Sequence, residues 1–112
     1  MGFKEAKHRL IEALRKREYE HEARKNAESK NQLLSKGISS ESLCEIVIRC
    51  QGQDHGTSPH HSLDNVKVHI LKREGWYVKF YFLEPNVTYI VSVRKLPNIL
   101  VINIKQAFFA IE

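Results

Sequence analysis

Apolar and polar positions change their rhythm twice along this chain. Phe3, Ala6, Leu10, Ala13 and Leu14 recur at spacings of three and four, the stripe of one amphipathic helix over about residues 4–17. The stripe stops at Tyr19-Glu20-His21, although helix formers continue to Lys36 and the next apolar pair is Leu33-Leu34. The pattern therefore predicts two helices with a break near 18–22, the second punctuated by Gly37. Ser39-Ser40-Glu41-Ser42 then supplies N-cap and first-turn residues. Leu43, Ile46, Val47 and Cys50 follow at i, i+3, i+4 and i+7, which predicts a short core-facing helix over about 40–50.

Residues 51–65 hold two Gly, one Pro and many small polar residues, and read as a loop longer than a compact domain usually keeps without a use for it. Beyond it the period becomes 2. Val66, Val68 and Ile70 alternate with Lys67, His69 and Leu71. Arg73-Glu74-Gly75 turns the chain, and Trp76, Val78, Phe80 and Phe82 alternate with Tyr77, Lys79, Tyr81 and Leu83. Glu84-Pro85-Asn86 turns it again before Val87, Tyr89, Val91 and Val93, which alternate with Thr88, Ile90, Ser92 and Arg94. The apolar run Ile99 to Ile104 offers a fourth strand. Helices first and sheet second predict an α+β fold, N-terminal helices packed on a three- to four-stranded antiparallel sheet. All 112 residues make one domain in this reading, with helices over residues 1–50, a loop over 51–65 and the sheet over 66–104.

Composition fits a globular chain, at 42% apolar and 28% charged residues, and excludes a disordered class. No apolar run approaches the roughly 18 residues of a membrane span. The start, MGFKEAKHRL, is basic but leads into no apolar h-region, so a cytoplasmic protein without membrane contact is expected. Cys44 and Cys50 fall on different sides of one helix, too far apart for a disulfide or a shared metal. The charge is +5, and the excess lies in residues 1–36, with ten Lys+Arg against six Asp+Glu. A small domain with clustered cations is the electrostatic footprint of a nucleic-acid binder.

The middle strand carries the most chemistry. If Trp76, Val78, Phe80 and Phe82 face the helices, Tyr77, Lys79 and Tyr81 form a row on the other face. Rings that stack on bases beside an ammonium that neutralises a phosphate suit single-stranded RNA. On ordinary sheets the same row is a lysine snorkelling between half-buried tyrosines. Lys67 and His69 are expected on the polar side of the preceding strand, and Arg94 with Lys95 at the end of the next, near the His60-His61 loop. RNA can be cut by its own 2′-OH if one group takes that proton, another protonates the 5′-oxygen and cations stabilise the phosphorane-like transition state. His, Tyr, Lys and Arg can do so without a metal. Asp54, His55, His60, His61 and Asp64 cluster as metal ligands would, but HExxH, HxH and CxxC are absent. A Ser58-His60-Asp64 triad lacks a nucleophile elbow.

His8-Arg9-Leu10, Leu43-Cys44-Glu45-Ile46-Val47-Ile48, Trp76-Tyr77-Val78-Lys79-Phe80 and Ile90-Val91-Ser92-Val93-Arg94, in this order and at these approximate spacings, resemble the MqsR toxins. Those are RelE-like ribonucleases of bacterial toxin–antitoxin pairs. The resemblance covers roughly residues 7–95 and implies a RelE-like fold, metal-independent cleavage of mRNA and neutralisation by a cognate antitoxin. It sets Tyr77 at a catalytic-site tyrosine, Lys79 on the lysine that follows it, and Arg94 where the family usually has Lys or His. The family's loop segment Phe-Tyr-Lys-Ser is here His55-Gly56-Thr57-Ser58, so its lysine is missing, and His60, His61 or Lys67 would have to replace that cation.

The resulting expectation is an endoribonuclease toxin without cofactor or metal. Its catalytic candidates are Tyr77, Arg94, His60, His61 and His69, and its RNA-binding candidates are Lys79, Tyr81, Lys67 and Lys95. mRNA and a cognate antitoxin are the expected partners, with a homodimer left open. The alternative of a different class is a catalytically silent RNA- or protein-binding module of the same fold, and a third is a metal-binding regulator using the loop histidines.

Overall fold

The computed structural model describes residues 1–23, 27–83 and 87–95. Helix α1 (Phe3–Lys16) buries Ala6, Leu10, Ala13 and Leu14, the stripe read from the sequence. It stops because Arg17 turns left-handed (φ 56°) and the Glu18 N–H bonds back to the Ala13 carbonyl, a Schellman closure. That closure sits where the stripe ends and releases the chain into β1 (Glu20–His21). The second helix is a single turn, α2 (Ala27–Lys30), far shorter than helix propensity suggested. It ends where Asn31, 1% exposed, bridges to Val93. The left-handed residue near the expected stop is Lys36 (φ 69°) rather than Gly37.

Helix α3 (Ser40–Arg49) starts with the Ser39 hydroxyl accepting from the Ser42 N–H at 3.1 Å, and buries Leu43, Cys44, Ile46 and Val47. The Lys7 ammonium of α1 donates to the Ile48 and Cys50 carbonyls at 2.8 and 2.9 Å, satisfying the open end of α3 and tying the two helices together. No helix among the described residues is long and apolar enough to cross a membrane.

A 3₁₀ turn (Gly52–Asp54) leads into β2 (His55–Pro59), followed by β3 (Lys67–Arg73), β4 (Trp76–Leu83) and β5 (Val87–Lys95). The order across the sheet is β1-β5-β4-β3-β2, with β1 parallel to β5 and the remaining pairs antiparallel. The fold is α+β with helices on a sheet, as expected. The sheet differs in being mixed and five-stranded among the described residues. Its extra strands are β1, only two residues long, and β2, a polar edge strand inside the segment expected to be loop. The proposed strand Ile99–Ile104 and the turn Glu84-Pro85-Asn86 lie outside the described residues.

Each sheet face has its own cluster. On the helix side Leu71, Val78, Phe80, Ile90 and Val93 pack with the buried faces of α1 and α3. On the open side Val68, Tyr81 and Val91 form a smaller cluster, flanked by Val66, Leu83 and Tyr89. A bulge between Lys79 and Phe80 explains how Ile90 and Val93, three apart, both face the helices.

Candidate nucleic-acid interface

Two-residue hairpin geometry fixes which side chains share the open face. Glu74 (φ 54°) and Gly75 (φ 81°) are both left-handed, so Arg73 pairs directly with Trp76, Lys72 with Tyr77 and Ile70 with Lys79. In the next ladder Tyr77 pairs with Arg94 and Lys79 with Ser92. Residues directly opposite lie on one face, so Lys72, Tyr77, Lys79 and Arg94 lie together. The Arg94 guanidinium stands 4.9 Å from the Tyr77 ring centroid and the Lys72 ammonium 5.9 Å from it. Among the described residues, Lys79 forms no ion pair, and the open-face positions of β3, β4 and β5 include no Asp or Glu.

Other expected members of this face are elsewhere. His69 pairs with Phe80 and is 2% exposed on the helix side, stacked on Phe80 at 5.5 Å with Phe82 beside it. The expectation that Lys67 and His69 share the face of Tyr77 is thus corrected. The strand is turned over, because opposite residues share a face and Phe80 faces the core. Lys67, two residues before His69, shares its side. His69 Nδ1 and His55 Nε2 lie 3.0 Å apart, one ring donating to the other. Burial first, then the positive surroundings of His55, Lys67, the N-terminus and Arg9, push His69 down to about 4. Such a ring is a neutral core group. Lys95 is also on the far side, opposite Trp76, with its ammonium 5.5 Å from that ring.

Tyr81 is on the open face but 3% exposed, covered by Tyr89 stacked at 5.3 Å and by the edge of His60 at 4.7 Å. It is no platform for a base. Its hydroxyl donates to Glu22 Oε2 at 2.7 Å, and burial followed by that bond raises it above an ordinary phenol. The same Glu22 oxygen accepts from His60 Nε2 at 3.0 Å. His60 Nδ1 meanwhile accepts from the Ser62 and Leu63 amides, each at 3.1 Å, which assigns the ring proton to Nε2. Neither nitrogen of His60 is free, so this histidine organises its loop. Burial pushes the Glu22 carboxyl up, but the donors Tyr81 and His60 outweigh it and hold it below the usual range.

Glu22 is the group the sequence reading missed, because it stands in a stretch without period. An acid spaced two from Glu20 in an extended segment was the signal available. His61 is exposed, stacked on His60 at 4.6 Å, and borders a cavity of about 620 Å³ that Lys30 and Lys79 also border. Tyr77 and Tyr81 are four residues apart on one strand, roughly 13 Å. The Tyr77–Arg94 pair and the Glu22–His60–Tyr81 knot are therefore separate sites on one face, with Lys79 between them.

The loop ligands disperse as well. Asp54 accepts from Arg73 at 3.3 Å, His55 bonds His69, and His60 bonds Glu22. Among the described residues no group of three His, Cys, Asp or Glu is poised to hold a metal. Comparison of the chain with protein-family models, with curated proteins and with solved structures finds no match in any of the three.

Proposed function

We propose that the protein is a cytoplasmic, metal-independent endoribonuclease of the toxin type, cutting mRNA through the RNA's own 2′-OH and held in check by a cognate antitoxin. The observation that carries this reading is the Tyr77–Arg94 pair on an open sheet face that also bears Lys72 and Lys79 and no carboxylate on β3, β4 and β5. Three cations suit a phosphodiester whose charge grows in the in-line transition state. The Tyr77 hydroxyl is the proton-transferring group at that end of the face, with the Arg94 guanidinium against its ring. Arg94 also brings a planar fork that matches phosphate oxygens two at a time. His61, between β2 and β3, supplies a second ionisable group at the edge of the cavity.

One observation favours a second reading, a silent RNA-binding module. Of three candidate histidines, His60 is fully hydrogen-bonded and His69 is buried on the other face. The experiment that separates the two incubates purified protein with messenger RNA in EDTA. Cleavage that leaves 2′,3′-cyclic ends supports the toxin. Tight binding without cleavage supports the module, and cleavage only after added zinc or manganese defeats both in favour of a metal enzyme.

A further inference from the structure

The cavity of about 620 Å³ lies over the middle of the open face, and its boundary is of mixed character. Val68, Lys79 and Val91 of the three central strands form its floor, and the bulge in β5 is what brings Val91 there. Lys30, at the end of α2, stands on one wall and His61 on another. A volume in this range holds a small organic ligand. Glu22 also borders it, with its Oε2 accepting from the Tyr81 hydroxyl and His60 Nε2, and it forms no ion pair with either lysine. Neither lysine has an ion-pair partner among the described residues.

We propose that this cavity is a nucleotide subsite for single-stranded RNA, with one phosphate between Lys30 and Lys79 and one base against the His61 ring. The inference rests on the reading of the open face as an RNA surface and deepens it, because Lys79 lies two residues, roughly 7 Å, from Tyr77 along β4. A strand laid along the face would occupy the cavity and the Tyr77–Arg94 site together. The valine floor suits the apolar portion of a base or ribose, and two cations suit a phosphate. The Glu22–His60–Tyr81 knot supplies the rigidity: with His60 tied at both nitrogens, the neighbouring His61 is held as a stacking surface rather than left on a free loop.

The test measures fluorescence anisotropy of a labelled 2′-O-methyl oligouridylate of twelve nucleotides, which cannot be cut through the 2′-OH, over a series of salt concentrations. One phosphate contact to a single strand contributes about 0.7 to the slope of log affinity against log salt. Lys30→Ala with Lys79→Ala should lower the slope by about 0.7, the share of the one phosphate they hold, and Lys30→Ala alone by part of that. His61→Ala should leave the slope alone and weaken binding by roughly five- to 150-fold, the range of one lost base stack. Lys4→Ala, on α1 at the far side of the sheet, should change neither. If the parent chain binds with a clear salt slope that Lys30→Ala and the double variant leave unaltered, the subsite is wrong while the RNA reading stands. If the parent binds no oligonucleotide at any salt, both fall.

Discussion

Arg94 lies over the ring of Tyr77, 4.9 Å from its centroid, because the two are direct cross-strand partners in the β4–β5 ladder. This places a permanent cation against a phenol without spending the hydroxyl on a hydrogen bond among the described residues. Tyr77→Phe removes only the oxygen, so the ring and its contact with Arg94 survive. General acid–base assistance contributes roughly 10²–10⁴-fold. The variant should lose cleavage in that range while its RNA affinity changes by less than about threefold, measured by gel-resolved cleavage rates beside anisotropy. Parent-like cutting by Tyr77→Phe together with abolished cutting by His61→Ala would move the chemistry to the cavity.

His69 makes folding stability depend on pH. Its folded value is pushed down to about 4 from an ordinary 6.5, so between those values the unfolded chain binds a proton that the folded chain refuses. Stability is therefore complete above about pH 6.5 and is lost as pH falls toward 4, by up to roughly 3 kcal/mol for a shift of this size. His69→Phe keeps a ring against Phe80 and Phe82. It should remove most of that loss in urea titrations at pH 7.5 and 5, at the expense of the bond to His55. An unchanged loss in the variant would mean that His55 or His21 carries the effect.

Much of this fold was legible. The α1 stripe, the Ser39 cap of α3 and the alternation in β4 each state their element locally. β2 was not, because His55-Gly56-Thr57-Ser58-Pro59 is an edge strand with no apolar period, and its pairing is set by β3 alone. The orientation of β3 was legible in principle and misread. Both its faces carry apolar side chains, so Val66, Val68 and Ile70 looked like the core side, yet a two-residue turn at Glu74-Gly75 makes Arg73 share a face with Trp76. Counting back then sends Leu71, His69 and Lys67 to the helix side. Parity, not hydropathy, decides such a strand. Glu22 and Lys30 had at most a faint local signal, since it is the long-range pairing of β1 with β5 that brings their segment to the site.

Glu22 should make its own contribution to acid sensitivity. Its carboxyl is held below the ordinary 4.5 by Tyr81 and His60, so the stability it gives is present above that value and disappears as pH falls through the lower, folded value. Glu22→Gln retains an acceptor but loses the charge-assisted component of two bonds. It should be about 1–2 kcal/mol less stable than the parent at pH 7, with the gap closing as pH falls below the ordinary 4.5 and through the lower, folded value. A gap that stays constant from pH 7 to pH 3 would show that shape rather than charge holds the knot.

The Glu74-Gly75 turn offers a test of what sets the open face. Both residues have positive φ, the type I′ geometry that asks for Asn-Gly or a close relative. A Cβ on Gly75 would sit 3.2 Å from Lys95 Cε, the flexible end of a side chain that can give way, so backbone strain is the main cost of Gly75→Ala. That cost is about 1–2 kcal/mol for a left-handed alanine. Glu74→Asn works the other way, supplying a residue that tolerates φ of 54° while breaking the ion pair with Arg49 at 2.6 Å. The pair is half-exposed, with side-chain exposures of 48% and 41%, so solvent screens most of its attraction. Gain and loss should nearly cancel, leaving Glu74→Asn within about 0.5 kcal/mol of the parent in urea unfolding. RNA affinity should be unchanged in both variants, because the register of Tyr77 against Lys72 survives. A Gly75→Ala chain as stable as the parent would show that the turn is not held left-handed, and the parity that places Tyr77, Lys79 and Arg94 on one face would lose its origin.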